Sequence, residues 1–297
     1  PIRYKLLAAL AAPVGLLIAF VYYEVSSLAD EARELRSQAD LATAVTGPQG
    51  LLTGLQNERD YATATLLDVH DVMAVDAPDY EATWGETDEA IAAVAARATN
   101  HNPGQGEPYE QALVALDDLA GIRTHVSDLL ENSDDGAAAA SAVFLRYDDV
   151  ITTVLDLNTR LANTIDHPEM RRGAELVDVA SRQVEVTAGI LHVGLSTPGS
   201  PDAVTLARLG SLRTHLNDNA DLIREDAATP FEFVDDAFPE EVTQGLDEAV
   251  DDVIDRGELQ REPFVAALPA SGEPSYSNLR DQLVEAIEAE AAALTGS

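Results

Sequence analysis

Between Gly50 and Met73 the chain reads GLLTGLQNERDYATATLLDVHDVM. Leu52, Leu55, Ala62, Leu66, Val69 and Met73 recur in alternating steps of three and four once position 59 is counted with them. That spacing predicts a helix with an apolar seam facing a bundle interior. Position 59, in the middle of the seam, is an arginine. The stretch Ala174 to Leu195 echoes the pattern. With Val184 set opposite Arg59, Val177, Ala180, Thr187 and Leu191 fall opposite Leu52, Leu55, Ala62 and Leu66. A loose internal repeat of this kind predicts two related helical bundles, joined near His167-Pro168. The final segment is amphipathic again, with Tyr276, Leu279, Leu283, Ile287 and Leu294 on one side.

Leu6 to Tyr23 is a run of 18 residues without a charge. As a helix it reaches about 27 Å, close to the hydrocarbon thickness of a bilayer. Arg3 and Lys5 precede it, which sets the N-terminus in the cytoplasm, and Tyr22 and Tyr23 fall where an outer aromatic belt lies. Leu28, Ala32, Leu35, Ala39 and Ala42 continue in steps of four and three, so the membrane helix is expected to run on into a bundle seam. That continuity favours a retained anchor over a cleaved signal peptide. The expected layout is a transmembrane helix with its cytoplasmic edge over 1–25, a first bundle over 26–166 and a second over 167–297. The chain begins with Pro and reads as a segment of something longer or a processed product; if the parent chain continues past Ser297, a second membrane helix is expected to follow.

Breaks containing Pro or Gly separate segments of helical length. They fall at Gly47-Pro48, Ala77-Pro78, Asn100 to Pro108, Asn132 to Gly136, His167-Pro168, Thr197 to Pro201, Thr229-Pro230 and Leu268 to Pro274. Ser200-Pro201 and Thr229-Pro230 place a capping hydroxyl before a proline at the first helical position, and Ser133 or Asp134 is expected to cap the helix after Asn132. No run of alternating β-branched residues stands out. The predicted fold class is all-α: two up-and-down bundles of four-helix type behind a membrane helix.

Composition narrows the function. Acidic residues outnumber basic ones 53 to 18, for a net charge of −35. Such a surface repels nucleic acid and anionic lipid, so no nucleic-acid partner is expected. There is no cysteine, which removes disulfides, thiolate metal sites and thiol nucleophiles. His70, His101, His125, His167, His192 and His215 lie in no metal-ligand spacing and read as surface or packing residues. Glu131 to Gly136 has the look of a calcium loop, but Ala142 stands where its bidentate glutamate belongs. No nucleophile elbow, phosphate loop or dinucleotide turn is present. Neither catalysis, nor a metal, nor a cofactor is expected of this segment.

Arg59 is the candidate chemistry. A guanidinium is not buried without a partner. Glu58 and Asp60 adjoin it in sequence but project about 100° away on a helix, so neither is the obvious partner. Either a neighbouring helix supplies Asp or Glu, or a small anion lies between helices. A planar guanidinium suits a planar oxyanion, and Gln56, one turn earlier, offers an amide donor.

Leu55-Gln56-Asn57-Glu58-Arg59, followed by the small residues Ala62 and Ala64, resembles the signature of the nitrate- and nitrite-sensing (NIT) domain. The resemblance spans roughly Leu41 to Leu294. It implies two helical bundles between membrane helices, sensing nitrate or nitrite for an attached kinase, cyclase, chemoreceptor or antiterminator module. In that family a second glutamate-arginine pair usually occupies the matching helix, and the ligand is thought to lie between two arginines. Here the matching positions read Gln183-Val184, and Arg182 is expected to face away from the seam. The second arginine is therefore missing or relocated.

The expected function is a membrane-anchored, extracytoplasmic sensor acting as a homodimer. Arg59 and Gln56 contact a small anion, and a helix displacement passes to a cytoplasmic output. Two rivals stand beside it: a bundle sensor for another small molecule such as a carboxylate, and a structural or protein-binding module. An Arg59 already paired with a protein carboxylate favours the last.

Overall fold

The computed structural model describes residues 45–69, 79–98, 113–163, 165, 167–196, 199–226, 231, 233–268 and 275–295. The membrane run, the seam behind it, and the breaks at 77–78, 100–108 and 229–230 lie outside these residues. Among the described residues no helix is long and apolar enough to cross a membrane. Their regular structure is helical, and their pairing of extended backbone is confined to one isolated bridge between Gly199 and Leu259.

We number the helices α1 (Leu51–Leu67), α2 (Trp84–Ala98), α3 (Leu119–Asn132), α4 (Gly136–Ala162), α5 (Pro168–Ser196), α6 (Ala203–Asp226), α7 (Val234–Ala237), α8 (Glu240–Arg256), α9 (Arg261–Ala266) and α10 (Tyr276–Thr295). Several boundaries follow from local chemistry. Pro168 opens α5, where its missing N–H costs nothing and its fixed φ suits the first turn. Gly257, at φ 65, closes α8 in the left-handed region and donates its N–H to the Val253 carbonyl.

Two expected caps are corrected. Asp135, not Ser133 or Asp134, receives the Ala138 N–H at 3.0 Å at the start of α4. Asp202, not Ser200, receives the Thr205 N–H at 2.8 Å, so α6 begins beyond Pro201 rather than at it. In both places a carboxylate nearer the helix out-competes the hydroxyl for the free amide.

The buried apolar residues fall into two clusters. One joins α1 to α4 through Leu51, Leu55, Val94, Val126, Tyr147 and Ile151. The other joins α5, α6, α8, α9 and α10 through Val177, Ile190, Leu216, Val250, Phe264 and Leu283. Ala64, Leu67 and Ala140 belong to the second cluster, so the ends of α1 and α4 reach into it. The seam read from sequence is buried at Leu52, Leu55, Arg59, Ala62 and Val69. Yet α1 is buried well beyond that seam, at Gln56, Glu58, Thr63 and Ala64 as well. It packs on α4 and α2, with further contacts to α3 and α5. A helix enclosed in this way must find partners for its charges on more than one side.

Candidate functional site

Glu58 and Arg59 are neighbours in sequence and point into different surroundings. Glu58 faces the first cluster, where its two oxygens receive Arg123 Nη2 at 2.7 Å and Nε at 3.0 Å. The Tyr147 hydroxyl donates to the same carboxylate at 2.7 Å and lies 2.5 Å from the Tyr80 hydroxyl. Asp88 accepts the remaining side of Arg123 at 2.8 Å. Every group of this set is bonded, with Arg123 shared between the carboxylates of Glu58 and Asp88.

Arg59 is fully buried and faces α5. Its Nη1 donates to Glu185, on α5 beside Val184. Its Nε donates to Asp60 at 2.8 Å, which corrects the expectation that this acid projects out of reach: the long arginine side chain spans the angle between adjacent positions. Burial works against the charge of Arg59, but the carboxylates of Asp60 and Glu185 outweigh it and hold the pKa above the usual arginine value. Asp60 itself is pushed up by burial, against the pull of Arg59. The other terminal nitrogen, Nη2, is buried and has no partner among the described residues.

Gln56 is also buried, and both ends of its amide are engaged. Nε2 donates to Glu185 at 2.6 Å, and Oε1 accepts Arg280 Nη1 at 2.9 Å. Arg280 comes from α10 and is 1% exposed. Its Nη2 donates to Thr53 at 2.9 Å and to Asp281 at 3.2 Å. Burial pulls its pKa below the usual arginine value, with Asp281 opposing. Besides Arg59 and Arg123, a further buried arginine is thus supplied by the last described helix.

Val184 packs against the second apolar cluster, as the repeat requires. Arg182 turns away from it, as expected, and bonds Asp178, Asp156 and Thr159 along α4 and α5. Sequence reasoning missed Arg280 although the signal was there. Tyr276, Arg280, Leu283 and Ile287 are spaced four, three and four apart, so Arg280 sits in an apolar stripe as Arg59 does. Glu185 left no comparable sign, because its role depends on which helix lies opposite.

The far side of Arg59 is aromatic. Its Cζ lies 4.8 Å from the centre of the Phe144 ring, on α4. His192, from α5, stacks on that ring at 4.4 Å with the planes 14° apart. Arg208, from α6, places its Cζ 6.0 Å from the same ring. Burial, then Arg208 and Arg59, push the His192 pKa down to about 4, so the imidazole is neutral at pH 7. Among the described residues no cluster of His, Asp and Glu suited to a metal ion is found.

Residues 50–293 match the family described as nitrate and nitrite sensing. The chain belongs to that family. The match begins just before α1 and ends within α10, so it takes in the helices of Arg59 and Arg280. The fold is also similar to that of a solved structure, the NasR transcription antiterminator. That alignment has a TM-score of 0.60 and 17% identity, and covers 94% of this chain and 76% of that one. None of the curated proteins compared matches the chain. The family is a sensing family, and what its members sense is a small oxyanion.

Proposed function

We propose that this chain is the ligand-sensing part of a signalling receptor, and that it binds nitrate or nitrite at Arg59, between the helices. One observation carries the reading. Arg59 is fully enclosed at the junction of α1, α4 and α5, with Nε and Nη1 engaged and Nη2 free. A charged donor left unbonded in the interior is costly, and a small anion removes that cost. In this reading Glu185 and Asp60 fix the guanidinium, and Gln56 acts on the ligand contact by fixing Glu185. The Gln56–Arg280 bond then carries a shift of α1 or α5 to α10. The ligand drives that shift only by binding one arrangement better than the other.

The sequence adds the setting: a membrane anchor at Leu6–Tyr23, the two bundles (26–166 and 167–297) outside the cytoplasm, a homodimer, and an output module on the cytoplasmic side. Thermal unfolding of the 297-residue chain in nitrate, nitrite, chloride, sulfate and acetate, at matched ionic strength, tests the ligand. Matching matters because any salt relieves self-repulsion in so acidic a chain. A specific ligand at about 100 times its dissociation constant adds roughly 2.7 kcal/mol. Nitrate or nitrite alone should do so, and Arg59→Gln should lose the gain.

A second reading has its own support. Glu185 and Asp60 already neutralise Arg59, as a structural ion pair in a protein-binding module requires. Equal stabilisation by every anion selects that reading, and a response to acetate alone selects a carboxylate sensor.

A further inference from the structure

The corner around Phe144 gathers buried polar atoms that no described residue bonds. Arg59 Nη2 and His192 Nδ1 are both buried and unbonded among the described residues. Arg59 is fully buried and His192 is 5% exposed. Both lie against the Phe144 ring, and that ring is buried too. The guanidinium of Arg208 reaches the ring from α6 and is half-buried. No ion pair or hydrogen bond ties Arg208 to a described residue; its electrostatic neighbours are His192 and Asp148.

Arg208 differs from the arginines that pair with carboxylates. The chain has 53 acidic residues against 18 basic ones, and Arg123, Arg182, Arg213, Arg224 and Arg280 all meet carboxylates directly. At this corner two guanidiniums and an imidazole meet three carboxylates: Asp60, bonded to Arg59 Nε, and, further along, Glu185 and Asp148. Glu185 is already taken by Arg59 Nη1 and Gln56. Asp148 is half-buried on α4, and its carboxyl is pushed up by burial and by Glu185. None of the three bonds Nη2 of Arg59. Like charges collected around unbonded donors lower their energy by sharing an anion.

We propose that Arg208 and His192 complete an anion seat with the free Nη2 of Arg59, against Phe144, where α1, α4, α5 and α6 meet. The occupant is a small planar oxyanion of one negative charge. It enters along the half-exposed Arg208 and receives hydrogen bonds from three helices at once. The proposal rests on the sensing function above and adds its second guanidinium: Arg208, since the donors of Arg280 are spent on Gln56, Thr53 and Asp281. Arg208 and His192 are binding residues here, and Glu185 is a positioning residue.

Calorimetric titration of the full 297-residue chain with nitrate, nitrite, formate and sulfate, at matched ionic strength, tests it. Arg208 is half-exposed and makes no structural bond, so Arg208→Gln should fold. It should weaken the preferred anion about tenfold or more, the loss of one charge-assisted bond. Arg208→Lys should recover part of that loss. Arg182→Gln, on the same helix as His192 but turned toward α4, should leave affinity unchanged. The His192 ring resonances should move on adding the anion, while those of exposed His215 stay still. If Arg208→Gln binds nitrate or nitrite as tightly as the wild type and His192 does not respond, the seat is elsewhere and the sensing function stands. If the wild type binds none of the four anions, or all four alike, the seat and the sensing function both fall.

Discussion

Gln56 and Arg280 are 224 positions apart in sequence, and Arg280 Nη1 donates to the Gln56 side-chain oxygen at 2.9 Å inside the protein. The same amide donates to Glu185, so one side chain on α1 ties α5 to α10. Gln56→Leu removes the partner of two charged groups at once while keeping the volume. Leaving buried charged groups short of a bond costs about 3 kcal/mol. Denaturant unfolding of the variant should show that loss with an unchanged slope.

Arg59 and Glu185 form the main link across the α1–α5 seam. Arg59→Leu alone leaves Glu185 and Asp60 without their cation and should destabilise by about 3 to 5 kcal/mol. Arg59→Leu with Glu185→Leu removes both ends of the pair and should regain part of that loss. A double-mutant cycle gives the coupling, expected at about 1 to 3 kcal/mol. A coupling near zero would mean the two side chains do not meet in solution.

The Glu58 set on the other side is structural, and it predicts a loss of stability without a loss of anion response. Glu58→Gln strips Arg123 of its bidentate partner and Tyr147 of a charged acceptor. About 3 kcal/mol should go. Any increment produced by nitrate should survive in the folded fraction, read as the nitrate-induced rise in unfolding midpoint.

His192 sets a pH dependence. Its folded pKa of about 4 lies below the 6.5 of an unhindered imidazole. Between those values the unfolded chain binds the proton and the folded one does not. Stability from this group is therefore complete above pH 6.5 and is lost as the pH falls toward 4. The full effect is on the order of 3 kcal/mol. Asp60, Asp148 and Asp281, whose folded pKa values are raised, act in the opposite direction at the acid end. The comparison that isolates His192 is the slope of unfolding free energy against pH in His192→Gln, which should be smaller than in the wild type over that range.

Two helices come close at Gly194. A Cβ there would fall 2.4 Å from the Phe264 ring, where α9 crosses α5. Gly194→Ala should cost about 1 to 3 kcal/mol through overpacking. Phe264→Leu, added to it, should recover less than it loses elsewhere but should show positive coupling in the same cycle.

Much of this was legible in the sequence because it depends on spacing alone. The helical class, the start of α5 at Pro168, the stripe of Tyr276, Leu279, Leu283 and Ile287, and the outward turn of Arg182 all follow from a period of 3.6 residues and the conformational limits of proline. The caps at Asp135 and Asp202 were missed because several polar residues in each break compete for the same amides, and small differences in reach decide between them.

The sequence by itself determined that Arg59 is buried, since a seam position on an enclosed helix has nowhere else to go. It also determined that some oxyanion or carboxylate must face it. Only the tertiary structure decided which: Glu185 and Asp60 at two of its nitrogens, and no described residue at the third. It also decided that a further buried arginine, Arg280, comes from α10 rather than from the repeat at Val184, and that Arg59, Arg208 and His192 all reach the Phe144 ring. Those relations join helices far apart in the chain. Periodicity fixes which face of a helix turns inward, but the partner it meets there depends on how the other helices are stacked, and spacing along one helix carries no record of that.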